Sequence, residues 1–367
     1  METNNKKRKQ KVLCLAGGGT MGHISPSLAL LSEFRKQFDK IIYIGGKNSM
    51  EEQKAKENGI EFYSVPVIKF SRKNMLKNLS IPFVLFKSKK QVNKILRDNQ
   101  VNCVFSKGGY ASVPVMLAAQ SQGIKTFLHE SDMSMGLANK LSSKKSTHTF
   151  VSTEKAFSLL PEKIKQKASV IGLPVKSEFG NICKSKAREI LKLPSSKKII
   201  LITGGSLGAI ALNNIIFESI EELCTNYFVV HIVGKGKENK NIKHPCYIQL
   251  EFTDKMAEYF ASSDLIISRA GATTIFEGIK SLTPMLLIPL PKGASRGDQV
   301  ENAKYFEREK LASFLPQDNL TKSSLLDAIN HTLKLGVRYK INMQKFCSKI
   351  PSHEKIVRQI IKMTYDD

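Results

Sequence analysis

Glu277 sits about one turn inside a helical stretch that follows the small-residue turn Arg269-Ala270-Gly271-Ala272-Thr273-Thr274. A carboxylate placed there can accept hydrogen bonds from a ribose diol, or it can answer the helix dipole alone. Asp298 and Gln299 end the polar loop that begins at Pro289, just ahead of another helical stretch. They can bond sugar hydroxyls or cap that helix. A further feature is backbone. Gly204 and Gly205 follow the apolar run Ile199 to Ile202. They let the chain turn sharply and approach a ligand with no side chain in the way. Ser206 is placed to cap the next helix, and Gly208 keeps its first turn slim. The amides of such a helix start favour an anion, phosphate above all, although a plain strand-to-helix turn looks the same.

The device recurs. Val12 to Ala16 runs into Gly17-Gly18-Gly19-Thr20-Met21-Gly22-His23, and Val101 to Phe105 runs toward Gly108-Gly109-Tyr110-Ala111-Ser112. Two of these units open separate halves of the chain. They predict two α/β domains facing each other across a ligand cleft. There is no DxD to hold a divalent ion on a diphosphate, and no GxxxxGK[ST]. A departing diphosphate would therefore rely on helix N-termini and backbone amides.

The elements that must position these turns alternate. Expected strands in the first half are Ile41 to Ile44, Phe62 to Val67, Val101 to Phe105, Thr126 to Glu130 and Thr147 to Ser152. Helical stretches are expected at Pro26 to Phe38, Met50 to Asn58, Leu85 to Arg97 and Val113 to Ser121. The second half repeats the pattern with strands at Ile199 to Thr203, Phe228 to Val233, Tyr247 to Leu250, Leu265 to Ser268 and Met285 to Pro289. Helices are expected at Glu301 to Lys310 and, amphipathic, at Ser352 to Tyr365. Short strands separated by helices imply parallel sheets with right-handed crossovers.

The chain has 367 residues, long for one domain and comfortable for two. Its 57 Lys and Arg against 32 Asp and Glu give a net charge of +25. That suits nucleic acid, an anionic membrane or phosphorylated substrates, or reflects a Lys-rich proteome. The absence of Trp, and the few aromatics beside the Lys runs, argue against nucleic acid. Six scattered cysteines show no ligand spacing and read as reduced cytosolic residues. The basic start precedes too short an apolar run for a signal peptide, and no run spans a bilayer. A soluble or peripheral protein is expected.

Ile68 to Lys90 breaks the pattern. Met75, Leu76, Leu79, Phe83 and Phe86 lie among Lys69, Arg72, Lys73, Lys77, Lys87, Lys89 and Lys90. Such a stretch suits an anionic membrane interface, or a core helix with one solvated face.

Six segments in order, GGGTMGHISP, SKGGYASVP, HESDMSMGLANK, GGSLGA, RAGATTIFE and SRGDQVENA, resemble the MurG glycosyltransferase family over about Lys11 to Ile361. The resemblance implies the GT-B fold of two Rossmann-like domains. It divides the chain into an acceptor domain at residues 1–173, a UDP-sugar domain at 174–351 and a last helix, 352–367, packed on the first domain. It implies inverting transfer of N-acetylglucosamine from UDP-N-acetylglucosamine to the 4-hydroxyl of N-acetylmuramic acid on undecaprenyl diphosphate. It also implies a peripheral place on the cytoplasmic membrane face; no cofactor is expected, and the missing DxD and the glycine-loop helix starts lead us to expect no bound metal. This tips the Met75 to Phe86 stretch toward the membrane reading.

By matched position, His23 is a candidate base, and an imidazole's ordinary pKa suits that task. Thr20, Met21 and Gly22 share its loop. Tyr110, Glu130 and Asp132 would border the sugars, with Asn139 and Lys140 in the same segment. Ser206, Ala272, Thr273 and Thr274 would meet phosphate. The Phe252-Thr253 backbone would read uracil, Glu277 the ribose, and Asp298 and Gln299 the transferred sugar. Some relatives carry Gln-Asn at Ser131-Asp132, or Gln at Leu207. Asn-Pro-Val-Arg stands here as Leu173-Pro174-Val175-Lys176, where Lys176 keeps charge but loses the bidentate fork. Asp132 competes with His23 as base. Two alternatives remain at this stage: another enzyme on the same fold, such as a UDP-N-acetylglucosamine 2-epimerase or a glycolipid synthase, and a non-catalytic binding protein. An epimerase needs no lipid surface, which the Met75 to Phe86 stretch opposes.

Overall fold

The structure is a computed structural model that describes residues 10–68, 75–205, 208–291 and 297–366, with side chains withheld at 75–77. The chain forms two units, Met1–Pro174 with Pro351–Asp367, and Val175–Ile350. Ser206, Leu207, Lys69, Arg72 and Lys73 lie outside the described residues, as do the side chains of Met75, Leu76 and Lys77.

The first unit holds seven parallel strands: β1 Val12–Ala16, β2 Lys40–Gly46, β3 Glu61–Val65, β4 Cys103–Ser106, β5 Lys125–Glu130, β6 His148–Val151 and β7 Ala168–Val170. Their order is β3-β2-β1-β4-β5-β6-β7. Both faces of β1 are buried, because side chains alternate across a strand and each face meets a helical layer. Leu13 and Leu15 pack with Phe34, Phe105 and Phe127, and Val12, Cys14 and Ala16 pack with Val92, Leu96 and Val115. Ile356, Val357 and Ile360 of the helix His353–Tyr365 close the first of these layers. Ser352 caps that helix through the Lys355 amide.

The second unit holds six parallel strands: β8 Lys198–Thr203, β9 Tyr227–Ile232, β10 Tyr247–Leu250, β11 Leu265–Ser268, β12 Met285–Leu287 and β13 Ser313–Phe314. The order β10-β9-β8-β11-β12-β13 reverses between β8 and β11, as the first sheet reverses between β1 and β4.

Several expected bounds shift. Pro26 to Phe38 is not one helix but two, Ser25–Ala29 and Leu31–Gln37, with Leu30 at ψ −5° between them. The helix expected from Leu85 begins at Ile81, because Pro82 fits a first helical turn. The helix expected from Glu301 begins at Asp298, after Gly297 in the left-handed region. β12 ends at Leu287, ahead of Pro289, which has no amide for the ladder. Among the described residues, no helix is long and apolar enough to cross a membrane.

Candidate active site

Ligands on open parallel sheets sit beyond the carboxyl ends of strands where the order reverses. In the first unit that point lies between β1 and β4, where Ala16 is in register with Ser106. The Gly17 and Gly108 loops leave the sheet there, side by side. Gly109 has φ +84°, and a Cβ on it would strike the Gly18 carbonyl. The Tyr110 ring lies against Gly19, so that side chain is held at the loop junction. The Glu51 carboxylate, 1% exposed, sits under Gly18. It accepts from the Gly19 amide at 3.3 Å and the Gly46 amide at 3.2 Å. Tyr43 donates its hydroxyl to the Gly17 carbonyl at 2.8 Å. The loop is thus locked from beneath.

Gly109→Ala should therefore destabilise this unit by roughly 2–3 kcal/mol, from a left-handed non-glycine residue plus the clash. A denaturation midpoint equal to wild type would show that the two loops are not locked together.

His23 ends a short 3-10 helix, Met21–His23, and its Nδ1 lies 3.1 Å from the Thr20 hydroxyl. Thr20 is exposed, and Met21, Gly22 and His23 are half-buried. When Nδ1 donates to Thr20, Nε2 presents a lone pair, the state a base requires.

Glu130 and Asn139 lie beneath their turn rather than on its surface, at 7% and 5% exposure. Glu130 accepts from the amides of Ser131 at 2.8 Å, Asp132 at 3.1 Å and Gly136 at 3.0 Å, and from Asn139 Nδ2 at 2.8 Å. That carboxylate builds the turn on which half-buried Asp132 sits. Lys140 is exposed on the helix Leu137–Ser143.

In the second unit the reversal point lies between β8 and β11, where Thr203 is in register with Ser268. The helix after Gly204 starts at Ile210 with Ala209 as its N-cap, so the cap expected at Ser206 falls elsewhere. Gly208, at φ +66°, lies against the Val233 carbonyl. The helix Ala272–Lys280 starts after Gly271, which makes no side-chain cap to its first-turn amides at Ala272, Thr273 and Thr274.

Glu277 is half-buried on that helix. Burial pushes its pKa up to about 8, and the exposed Lys176 ammonium pulls the other way. Thr253 is half-buried, its hydroxyl accepting from the Lys255 amide at 3.0 Å; Phe252 beside it is 72% exposed. Asp298 opens the helix Asp298–Arg308, and Gln299 Oε1 accepts from the Leu290 amide at 3.0 Å. Gln299 thus ties Leu290 to the start of that helix.

Sequence reasoning missed Glu51 and Lys107. The signal for Lys107 was a lysine in the otherwise apolar and small run VFSKGG. It is 1% exposed and donates to His129 Nδ1 at 2.6 Å and to the Ser131 hydroxyl.

Residues 13–151 match the glycosyltransferase family 28 N-terminal domain, and residues 199–360 match its C-terminal domain. Among curated relatives, one from Clostridium tetani is 36% identical, covering 91% of this chain and 93% of its own. One from Lachnospira eligens is 38% identical, covering 91% and 94%. Both are described as UDP-N-acetylglucosamine–N-acetylmuramyl-(pentapeptide) pyrophosphoryl-undecaprenol N-acetylglucosamine transferases. The crystal structure of Acinetobacter baumannii MurG superposes with TM-score 0.74 at 23% identity, over 96% of this chain and 99% of that one. The calicheamicin glycosyltransferase CalG4 superposes with TM-score 0.72 at 14% identity, over 97% and 98%. The fold is GT-B, and the chain belongs to glycosyltransferase family 28, among its MurG enzymes.

Proposed function

We propose that the chain moves N-acetylglucosamine from UDP-N-acetylglucosamine to the 4-hydroxyl of N-acetylmuramic acid in lipid I. The product is lipid II, for peptidoglycan synthesis. The observation that carries this is the 36–38% identity with N-acetylglucosamine transferases over nine-tenths of both chains. Radiolabel transfer from UDP-N-acetylglucosamine to a lipid I analogue tests it. Label released only as free sugar, or none transferred, would overturn it.

Inversion is one displacement, with the acceptor oxygen attacking the anomeric carbon as UDP leaves. The first unit holds the acceptor, and its Thr20 to His23 loop, Tyr110 and Asp132 border the reacting hydroxyl. His23 and Asp132 are the two groups able to take its proton. The second unit holds the donor. Ser206 and the Ala272, Thr273 and Thr274 amides meet the diphosphate, the Thr253 backbone meets uracil and Glu277 meets the ribose. Asp298 and Gln299 meet the sugar, and Lys176 adds charge near the diphosphate. The partners are the two substrates and the anionic cytoplasmic membrane surface, reached through Met75, Leu76, Leu79, Phe83 and Phe86. Nucleic acid is not a partner.

The chemistry proceeds without a protein-bound divalent ion. The missing DxD motif and the uncapped helix start at Ala272 support this. Chelator should leave transfer running. Complete loss, restored only by a metal that binds the protein stoichiometrically, would refute it; stimulation by magnesium on the lipid diphosphate would not.

A further inference from the structure

Lys107 is a charged side chain sealed inside the first unit, which costs free energy unless its hydrogen bonds and counter-charges are supplied. It follows β4, and its amide donates to the Ala16 carbonyl at 3.0 Å. Its Nζ donates to His129 Nδ1 at 2.6 Å. His129 is itself fully buried and donates Nε2–H to the Gly172 carbonyl at 2.8 Å, so the ring is neutral and its tautomer is set. The same ammonium donates to the Ser131 hydroxyl. The titratable groups that face it are His129 and Glu130 on β5 and Asp132 on the turn beyond. An apolar side chain here would spare the desolvation cost but leave the buried His129 Nδ1 without its donor.

We propose that Lys107 is a positioning residue for the transfer: through Ser131 it fixes the Ser131-Asp132 turn beside the acceptor. This rests on the reading that Asp132 borders the acceptor hydroxyl. Two tethers hold the turn. Glu130 takes its amides from one side, and Lys107 takes the Ser131 hydroxyl from the other. Burial pulls the Lys107 pKa down to about 7, while Glu130 and Asp132 oppose that pull. The ammonium therefore discharges as pH rises through neutrality. The tether to Ser131 then weakens.

The test measures kcat and KM across pH for wild type, K107M, K107R, S131A and D132N, with UDP binding and a thermal melt as fold controls. Wild-type kcat should fall as pH rises through neutrality. K107R, always charged, should lose that neutral-range fall. K107M should lose tenfold or more in kcat with KM for UDP-N-acetylglucosamine unchanged, and its neutral-range fall should vanish. S131A, a small change on a half-buried residue, should lose severalfold in kcat even where K107M does not fold. An inactive D132N beside K107M or S131A with wild-type kcat and pH profile overturns the role of Lys107. A D132N variant at the wild-type rate overturns the reading of the turn itself. A K107M defect confined to KM for the donor also overturns the proposal.

Discussion

Glu277→Gln should make the protein more stable and a poorer UDP binder. Burial raises the Glu277 pKa from an ordinary 4.5 to about 8. Below the lower value the carboxyl is neutral whether the chain is folded or not, and the variant and wild type should melt alike. Between the two values the unfolded chain releases the proton and the folded chain keeps it. Wild-type stability therefore falls as pH rises across that window. Above about 8 the folded protein must hold a half-buried carboxylate. With allowance for solvent reaching a half-buried group, that costs roughly 2 kcal/mol, or about 5 °C in the melting temperature. Gln removes that cost at every pH.

Binding responds in the opposite direction. A ribose diol donates two charge-assisted hydrogen bonds to a carboxylate, and an amide oxygen accepts them less strongly. UDP affinity should drop by about 1–3 kcal/mol, roughly fivefold to 150-fold. Wild-type affinity should also rise with pH toward about 8, as the carboxylate forms, and the variant should lose that dependence. Calorimetry at two pH values, with a melt at each, reads all of this. Unchanged UDP affinity in a folded variant would remove Glu277 from the ribose contact. Equal melting above pH 8 would mean that the carboxylate is solvated in the free protein.

Glycine turns between apolar strands were legible in the sequence because they are local. Gly17, Gly108 and Gly204 each follow four or more residues of a buried strand, and the order reversal places them at the two reversal points. What was not legible is what lies under them. Glu51, in the first turn of a helix, carries the same sequence signal whether it answers a helix dipole or caps the Gly19 amide from below. Lys107 stands out in its apolar and small run, but nothing local names its partners, since His129 and Ser131 are on another strand and its turn. β7 and β13 span three residues and two, too few for any period to show. Glu130 and Asn139 read as ligands from their segment, yet the turn consumes Glu130's hydrogen bonds and buries both residues. Short-range spacing finds where the backbone turns; it does not say which side chains fold back beneath the turn.

Replacing Leu79, Phe83 and Phe86 together by Ser should abolish binding to anionic vesicles and leave the fold intact. The helix Ile81–Asp98 buries Ser88, Val92, Ile95 and Leu96 against the sheet. Its N-terminal half instead turns Phe83 and Phe86, one turn apart, outward at 73% and 72% exposure, and Leu79 ahead of it is 78% exposed. These three are therefore not core, and their loss leaves no cavity. Lys87 and Lys90 are exposed beside them, and each basic residue near an anionic surface contributes roughly 1 kcal/mol, screened by salt. Apolar insertion adds about 25 cal/mol per Å² buried, so three large side chains together carry roughly 3 kcal/mol or more, a hundredfold or more in partitioning. The substrate's undecaprenyl chain keeps its diphosphate at the bilayer plane, so transfer to lipid I in vesicles should fall while transfer to a short-chain soluble analogue persists. UDP affinity and the melting temperature should match wild type. A triple variant that melts well below wild type would mean that these side chains support the fold. A stable variant that still co-sediments with anionic vesicles would place the membrane contact elsewhere on the surface.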